Sequence, residues 1–364
     1  CSTRINCYIK YVGYMNILTA LGKKQLIKEK YVYLFETCNL SCVFCWQDHA
    51  LPFNIDKIQS TLQQIYKEEP FSHTIYNIMG GELFMTNVPN EVVNTYSKDL
   101  EFHPHKIYNW LTNLIIPIHR FEMFLSQLPE NCVWSTSYDP CGRFNRAQLL
   151  HFNENIRYLS TKGYRPQSVS IVLTVQTINA IMNGDETFQY LYDNKYPLFF
   201  DFLSLFNSPL FESMLPKESL VQKFFLFLID VYPDVGPIKE WIDEVPIKMS
   251  CRESEIISSE EIIGNCVTAV DTKSKSKIPL VDLSSNCLQN TYIEKRQCLS
   301  CEFFDKCPLG CFLNHQTNGF EDLPDGECMY RNSLRYIQSK NFSNKYNSNQ
   351  KGISTKVPVL QTIK

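Results

Sequence analysis

Three cysteines stand at C-x3-C-x2-C spacing in the stretch Glu36-Thr37-Cys38-Asn39-Leu40-Ser41-Cys42-Val43-Phe44-Cys45-Trp46. Thiolates this close lie on one tight loop. They can bind three irons of a cubane cluster and leave the fourth iron open. An open iron can chelate a ligand and pass it one electron. The alternative is structural zinc, which takes four protein ligands. His49 is the only nearby residue that could complete such a set. A second run, Cys298, Cys301, Cys307 and Cys311, has spacing C-x2-C-x5-C-x3-C. Cys266 and Cys287 lie upstream of it and Cys328 downstream, making seven cysteines in about sixty residues. Four closely spaced thiolates suit zinc as well as iron–sulfur clusters.

A third motif, Met79-Gly80-Gly81-Glu82, closes a predicted strand. Glycines let a backbone approach a ligand closely, and a carboxylate can accept from an ammonium group.

The elements that position these motifs alternate. Strands are predicted over Tyr31–Thr37, Thr74–Met79, Lys106–Leu114, Cys132–Tyr138, Ser168–Val175 and Leu198–Leu205, from β-branched and aromatic runs. Helices are predicted over Asn54–Glu69, Glu91–Leu100, Arg120–Leu128, Arg146–Lys162, near Asp185–Asn194, and over Glu218–Val231. Six strand–helix pairs in a row imply an α/β fold, a parallel sheet wound into a partial (β/α)6 TIM-like barrel. Such barrels gather their active sites at the carboxyl ends of the strands, where the Cys38 loop and Gly80-Gly81-Glu82 fall. The reading divides the chain into an extension over 1–29, a barrel over 30–245, a small cysteine-rich domain over 246–335, and a polar tail over 336–364.

Composition narrows the class. The chain has 364 residues, 44% of them hydrophobic and 20% charged, enough for a sizeable core. The formal net charge is −3 and no basic block stands out, so neither nucleic acid nor an anionic membrane surface is expected as a partner. The first fourteen residues lack the apolar stretch of a secretory signal, and no run is long enough to span a bilayer. With 15 cysteines in such a chain, the expectation is a cytoplasmic protein with reduced thiols.

The motif around Cys38, Cys42 and Cys45, with the aromatic Phe44 before its third cysteine, resembles that of the radical S-adenosylmethionine (SAM) superfamily. The resemblance covers roughly residues 30–335. It implies that SAM binds the open iron through its amino and carboxylate groups, with Phe44 against the adenine. Reductive cleavage would yield methionine and a 5′-deoxyadenosyl radical that abstracts hydrogen from a substrate. It further implies that Gly80, Gly81 and Glu82 form the SAM amino-group motif, and that Ser137 contacts the ribose. The tandem cysteines resemble the SPASM extension. That resemblance assigns Cys266, Cys287 and Cys311 to one auxiliary [4Fe–4S] cluster and Cys298, Cys301, Cys307 and Cys328 to another. There are departures from the pattern. No Gly precedes Cys287, the extra Cys251 lies upstream of Cys266, and Leu288 stands where sulfatase-maturing members carry Asp.

Other residues are weighed on their chemistry. With period-two alternation, Ser135, Ser137 and Asp139 share one strand face, as do Ser170, Thr174 and Gln176. These are pocket residues or merely solvated strand ends. Thr112-Asn113 closes the third strand, and Trp46, Gln47, Asp48 and His49 follow the cysteine loop. Asp139 and Cys141 are the catalytic candidates at the barrel mouth, set against an ordinary turn aspartate and a bystander thiol. The resemblance implies an enzyme acting on a peptide or protein substrate, with a one-electron donor of flavodoxin or ferredoxin type. About thirty residues precede the first strand, fewer than a winged-helix leader-binding module needs, so a peptide is expected to need a separate leader-recognition protein or to be read by the barrel itself. Two alternatives are radical oxidation of a small molecule such as a sugar alcohol, and a non-catalytic zinc or iron–sulfur protein.

Overall fold

The computed structural model describes residues 28–45, 47, 49, 54–70, 73–203, 213–244, 254–258, 293, 296–304, 307 and 328–340. Seven parallel strands form one curled half-barrel sheet in the order β6-β5-β4-β3-β2-β1-β7. They are β1 (Lys28–Tyr33), β2 (Thr74–Met79), β3 (Lys106–Thr112), β4 (Cys132–Ser137), β5 (Val169–Leu173), β6 (Leu198–Phe202) and β7 (Ser254–Ser258). From β1 to β6 each strand pairs with the next in sequence. This is the singly wound order of a barrel.

The connecting helices are α1 (Ile55–Lys67), α2 (Asn90–Thr95), α3 (Ile118–Gln127), α4 (Arg146–Thr161), α5 (Val175–Met182), α6 (Glu186–Asp193), α7 (Glu218–Val231) and α8 (Ile238–Ile242). Local signals start several of them. Asn54 caps α1, accepting from Lys57 N at 3.1 Å, and Asn145 and Gln148 form a reciprocal capping box on α4. Asp185 caps α6 and also accepts from Tyr138 OH at 2.6 Å, tying that helix to the end of β4.

Alternation along each strand separates two environments. Tyr76, Ile78, Tyr108, Trp110, Trp134 and Phe200 are buried in the core. Ile75, Asn77, Ile107, Asn109, Ser135 and Asp201 face the barrel interior. In the core Phe84, Tyr96, Trp110, Phe121 and Phe124 pack ring to ring, with Phe84–Phe121 centroids 4.6 Å apart. Edge and tilted geometries of this kind add to the burial of large apolar surface.

Three features differ from the sequence expectation. β1 begins at Lys28 and ends at Tyr33, so Leu34–Thr37 leave the strand, although Leu34 N still reaches Met79 O at 3.0 Å. Val175 opens a helix capped by Thr174 instead of closing a strand. Ser254–Ser258, read as part of the loop-rich region, instead pairs with β1 as a seventh parallel strand. Its five residues carry too little periodicity to separate a strand from a loop. A further helix, α9 (Met329–Ser339), buries Met329, Tyr330, Leu334 and Ile337. It packs on α7, where Tyr336 OH donates to Asp230 at 2.9 Å and Asn332 Nδ2 to Gln222 Oε1 at 3.2 Å.

Candidate active site

The cysteine loop leaves β1 beside the end of β2, and the glycines are what make this approach possible. Gly81 N donates to Phe35 O at 2.7 Å and Glu82 N to Thr37 O at 3.0 Å. A Cβ on Gly81 would stand 1.8 Å from Thr37 O, and one on Gly80 2.3 Å from Phe35 O. Both glycines line the cavity, but the close approach that requires them is to the neighbouring backbone. Cys45 N turns back to Cys42 O at 3.0 Å, and Val43 N bonds Gly142 O at 3.0 Å, anchoring the loop to the segment after β4.

Cys38, Cys42 and Cys45 line a cavity of about 970 Å³ that fills the half-barrel. Phe44, Gly80, Gly81, Asn113 and Ser137 line it too. Burial first, then the charges of Glu82, Cys42 and Cys45, push the Cys38 thiol up to about 12, against a hydrogen bond from Leu40 N. The Cys42 thiol is also raised by burial, with Arg143 opposing. Thiols in this state take up metal by releasing protons. Among the described residues no three Cys, His, Asp or Glu side chains converge as around a single ion. This holds although His49 Nε2 lies 3.2 Å from Cys45 Sγ. Thiols that each take a separate iron of a cubane need not meet at one point. Three thiols on one loop are a donor set that a four-iron cluster can use.

Glu82 is placed differently from its expected role. Its side chain is wholly buried and does not line the cavity. One carboxylate oxygen accepts from Phe84 N at 3.0 Å and Thr112 Oγ1 at 2.9 Å, the other from Asn113 N at 2.6 Å. Burial pushes its carboxyl up to about 7, against those hydrogen bonds. It thus joins the ends of β2 and β3, and Asn113 carries the link onward, with Nδ2 at 2.9 Å from Asn39 Oδ1 and 3.7 Å from Cys38 Sγ.

Asp139 is likewise buried outside the cavity lining. Its carboxylate accepts from Val172 N at 2.6 Å and from Arg143 Nε. Cys141 is half-buried and also does not line the cavity, and Cys132 packs against the core. Arg143 had no motif to mark it. Its guanidinium lies 5.3 Å from the centre of the Phe44 ring and 3.8 Å from Cys42 Sγ. A lone arginine four residues after Asp139 was the available signal.

Across the cavity wall runs a polar belt. Asn109 Nδ2 donates to Asn77 Oδ1 at 2.8 Å, Ser135 Oγ to Asn109 Oδ1 at 2.9 Å, and Ser168 Oγ to Ser135 Oγ at 3.1 Å. Ser170 Oγ donates to Asp201, which faces the cavity from β6. Asp201 opens to the cavity yet is enclosed by the barrel wall. Burial, Asp139 and Glu29 together push its carboxyl up to about 7. Asn77, Asn109 and Asp201 were missed in the sequence. Each is a polar residue flanked on both sides by apolar or aromatic neighbours in its strand.

Cys298, Cys301, Cys307 and Cys328 come together around a second, much smaller cavity of about 20 Å³, with Arg296 and Arg331. Burial leads in pushing the Cys298 thiol up to about 11, and Cys328 and Cys301 add to it. Cys251, Cys266, Cys287, Cys311, Trp46 and Asp48 lie outside the described residues.

No helix among the described residues is long and apolar enough to cross a membrane. No protein-family model matches the sequence, nor does any curated protein. Solved structures do share its fold. The chain matches anSMEcpe with bound AdoMet and Cp18Cys peptide at TM-score 0.62 and 15% identity, over 90% of this chain and 100% of that one. It matches Streptococcus suis SuiB bound to precursor peptide SuiA at TM-score 0.53 and 14% identity, over 88% of this chain and 78% of that one. These neighbours are radical SAM enzymes. With its parallel half-barrel and a three-cysteine loop at the strand ends, the chain has the radical SAM fold with a cysteine-rich C-terminal region.

Proposed function

We propose that this chain is a radical SAM enzyme that modifies a peptide or protein substrate. The observation that carries the reading is the placement of Cys38, Cys42 and Cys45 on the wall of a cavity of about 970 Å³ inside a parallel half-barrel. Cys38, Cys42 and Cys45 would hold a four-iron cluster, which would supply the one-electron chemistry for reductive SAM cleavage and hydrogen abstraction from the substrate. The rest falls to the chain's own residues. Phe44, backed by Arg143, offers a flat apolar face for the adenine. Gly80 and Gly81 present backbone where no side chain fits, and Ser137 offers a hydroxyl to the ribose. Glu82 holds the ends of β2 and β3 together behind them.

The polar belt of Asn77, Asn109, Ser135 and Ser168 suits a hydrogen-bonding substrate such as a peptide. Peptides bound in anSMEcpe and SuiB, which share the fold, support that choice over a sugar alcohol. In this reading Cys298, Cys301, Cys307 and Cys328 hold one auxiliary cluster. Cys266, Cys287 and Cys311 hold another, within a cysteine-rich domain ending near residue 335. A flavodoxin- or ferredoxin-type donor supplies the electron, a separate protein recognises a peptide leader, and the enzyme works in the cytoplasm.

The test is metal analysis and dithionite-dependent 5′-deoxyadenosine formation after anaerobic reconstitution. Substituting Cys38, Cys42 and Cys45 together by Ala should remove about four irons and abolish SAM cleavage. His49→Ala should leave iron unchanged. Zinc in the unsubstituted protein, lost on His49→Ala, would make the loop a structural zinc site and end the enzyme reading.

A further inference from the structure

The second thiol group has a neighbour to which no motif pointed. Arg331, in the first turn of α9, donates from Nε to Cys301 Sγ at 3.4 Å. It lines the same small cavity as Cys298, Cys301, Cys307 and Cys328. Arg296 lines the cavity too and pairs with Glu218, whose side chain is only 2% exposed. Among the described residues Arg331 meets a carboxylate at Glu302, 4.0 Å away, and Arg335 already holds Glu302 at 2.7 Å. Arg331 brings a guanidinium N–H onto Cys301 Sγ, while the charge of Arg296 acts on Cys298.

We propose that Arg331 is a positioning residue that orients Cys301 and raises the reduction potential of the iron–sulfur cluster carried by Cys298, Cys301, Cys307 and Cys328. The inference rests on reading these four thiols as a cluster site. Reduction adds one electron beside the guanidinium, and both a nearby positive charge and an N–H bond to a ligand sulfur favour the reduced state. Removing Arg331 must therefore lower the potential. Arg331→Lys keeps the charge but not the fixed planar donor, so it should fall between.

The experiment uses the full chain, reconstituted with iron and sulfide in the Cys38/Cys42/Cys45→Ala background, so that only C-terminal clusters report. Metal content and an EPR-monitored redox titration are compared for the unsubstituted Arg331, Arg331→Met, Arg331→Lys and Lys340→Met. Lys340 follows α9 and pairs with Asp230 at 2.9 Å, so its loss removes one charge away from the thiols. The expected result is unchanged iron. One signal moves to lower potential in Arg331→Met, by less in Arg331→Lys, and not at all in Lys340→Met. An unmoved potential in Arg331→Met with iron intact overturns the proposal, as does an equal shift in Lys340→Met. If Arg331→Met loses iron, Arg331→Lys decides: iron kept with a lowered potential supports the role, and iron lost from both overturns it. Zinc at these thiols before any substitution at Arg331 would instead sink the cluster reading itself.

Discussion

Cys38, Cys42 and Cys45 open onto a cavity of about 970 Å³, whereas Cys298, Cys301, Cys307 and Cys328 close on one of about 20 Å³. The first group sits on a loop wedged between the ends of β1 and β2, facing serines, asparagines and a carboxylate across the barrel. The second sits beside α9, clamped to α7 by Tyr336–Asp230 and Arg296–Glu218. Three thiols facing space leave room for a ligand that reacts. Four thiols packed among Phe303, Phe304 and two arginines leave none. In the proposed reading the difference separates a place for chemistry from a place for holding or relaying electrons, as open and closed metal sites generally differ. Each group also has one arginine nitrogen near one sulfur, Arg143 at Cys42 and Arg331 at Cys301.

The contrast can be broken most forcefully at Gly81. Its substitution by Ala drives a methyl group to within 1.8 Å of Thr37 O and must part the cysteine loop from β2. The expected outcome is loss of the first cluster's iron and a large fall in thermal stability, with the second group still loading iron. Equal loss of iron from both groups would show that they are not independent units.

Next in size is Cys307→Ala. Folded protein should still cleave SAM with dithionite but should form product poorly, as measured by 5′-deoxyadenosine yield against modified peptide. Failure to cleave SAM in folded Cys307→Ala would erase the division of roles.

The smallest effect concerns Asp201, which marks the open cavity alone. Its carboxyl lies well above the ordinary 3.8, at about 7. Between those values the folded protein holds a proton that the unfolded chain has released, so this group's contribution to stability falls as pH rises through the window. Asp201→Asn removes that loss. The variant should unfold at a higher temperature than the parent at pH 8, with the gap closing towards pH 4. A gap constant with pH would mean that Asp201 is an ordinary solvated carboxylate.

Much of this arrangement was legible in the sequence because it is encoded locally. Cysteine spacing depends on a loop of a few residues, and β2 and the start of α4 are written in β-branched runs and the Asn145 cap. The Cys38 loop and Gly80-Gly81 could be named from type and interval, whereas the grouping of Cys298, Cys301 and Cys307 with Cys328 came from the resemblance to the SPASM extension. What could not be read depends on residues far apart in the chain. Ser254–Ser258 becomes a strand only because β1 offers an unpaired edge. Glu82 is held as a buried tie because Phe84 N beyond β2, and Thr112 Oγ1 and Asn113 N at the end of β3, all donate to its carboxylate. Asp139 is drawn out of the cavity by Arg143 and Val172 N, and Arg331 meets Cys301 only once α9 docks on α7. Spacing along the chain determined which groups could do chemistry. Which way those groups point, and what charge stands beside them, was decided by burial and by hydrogen bonds between distant strands, which no local pattern records.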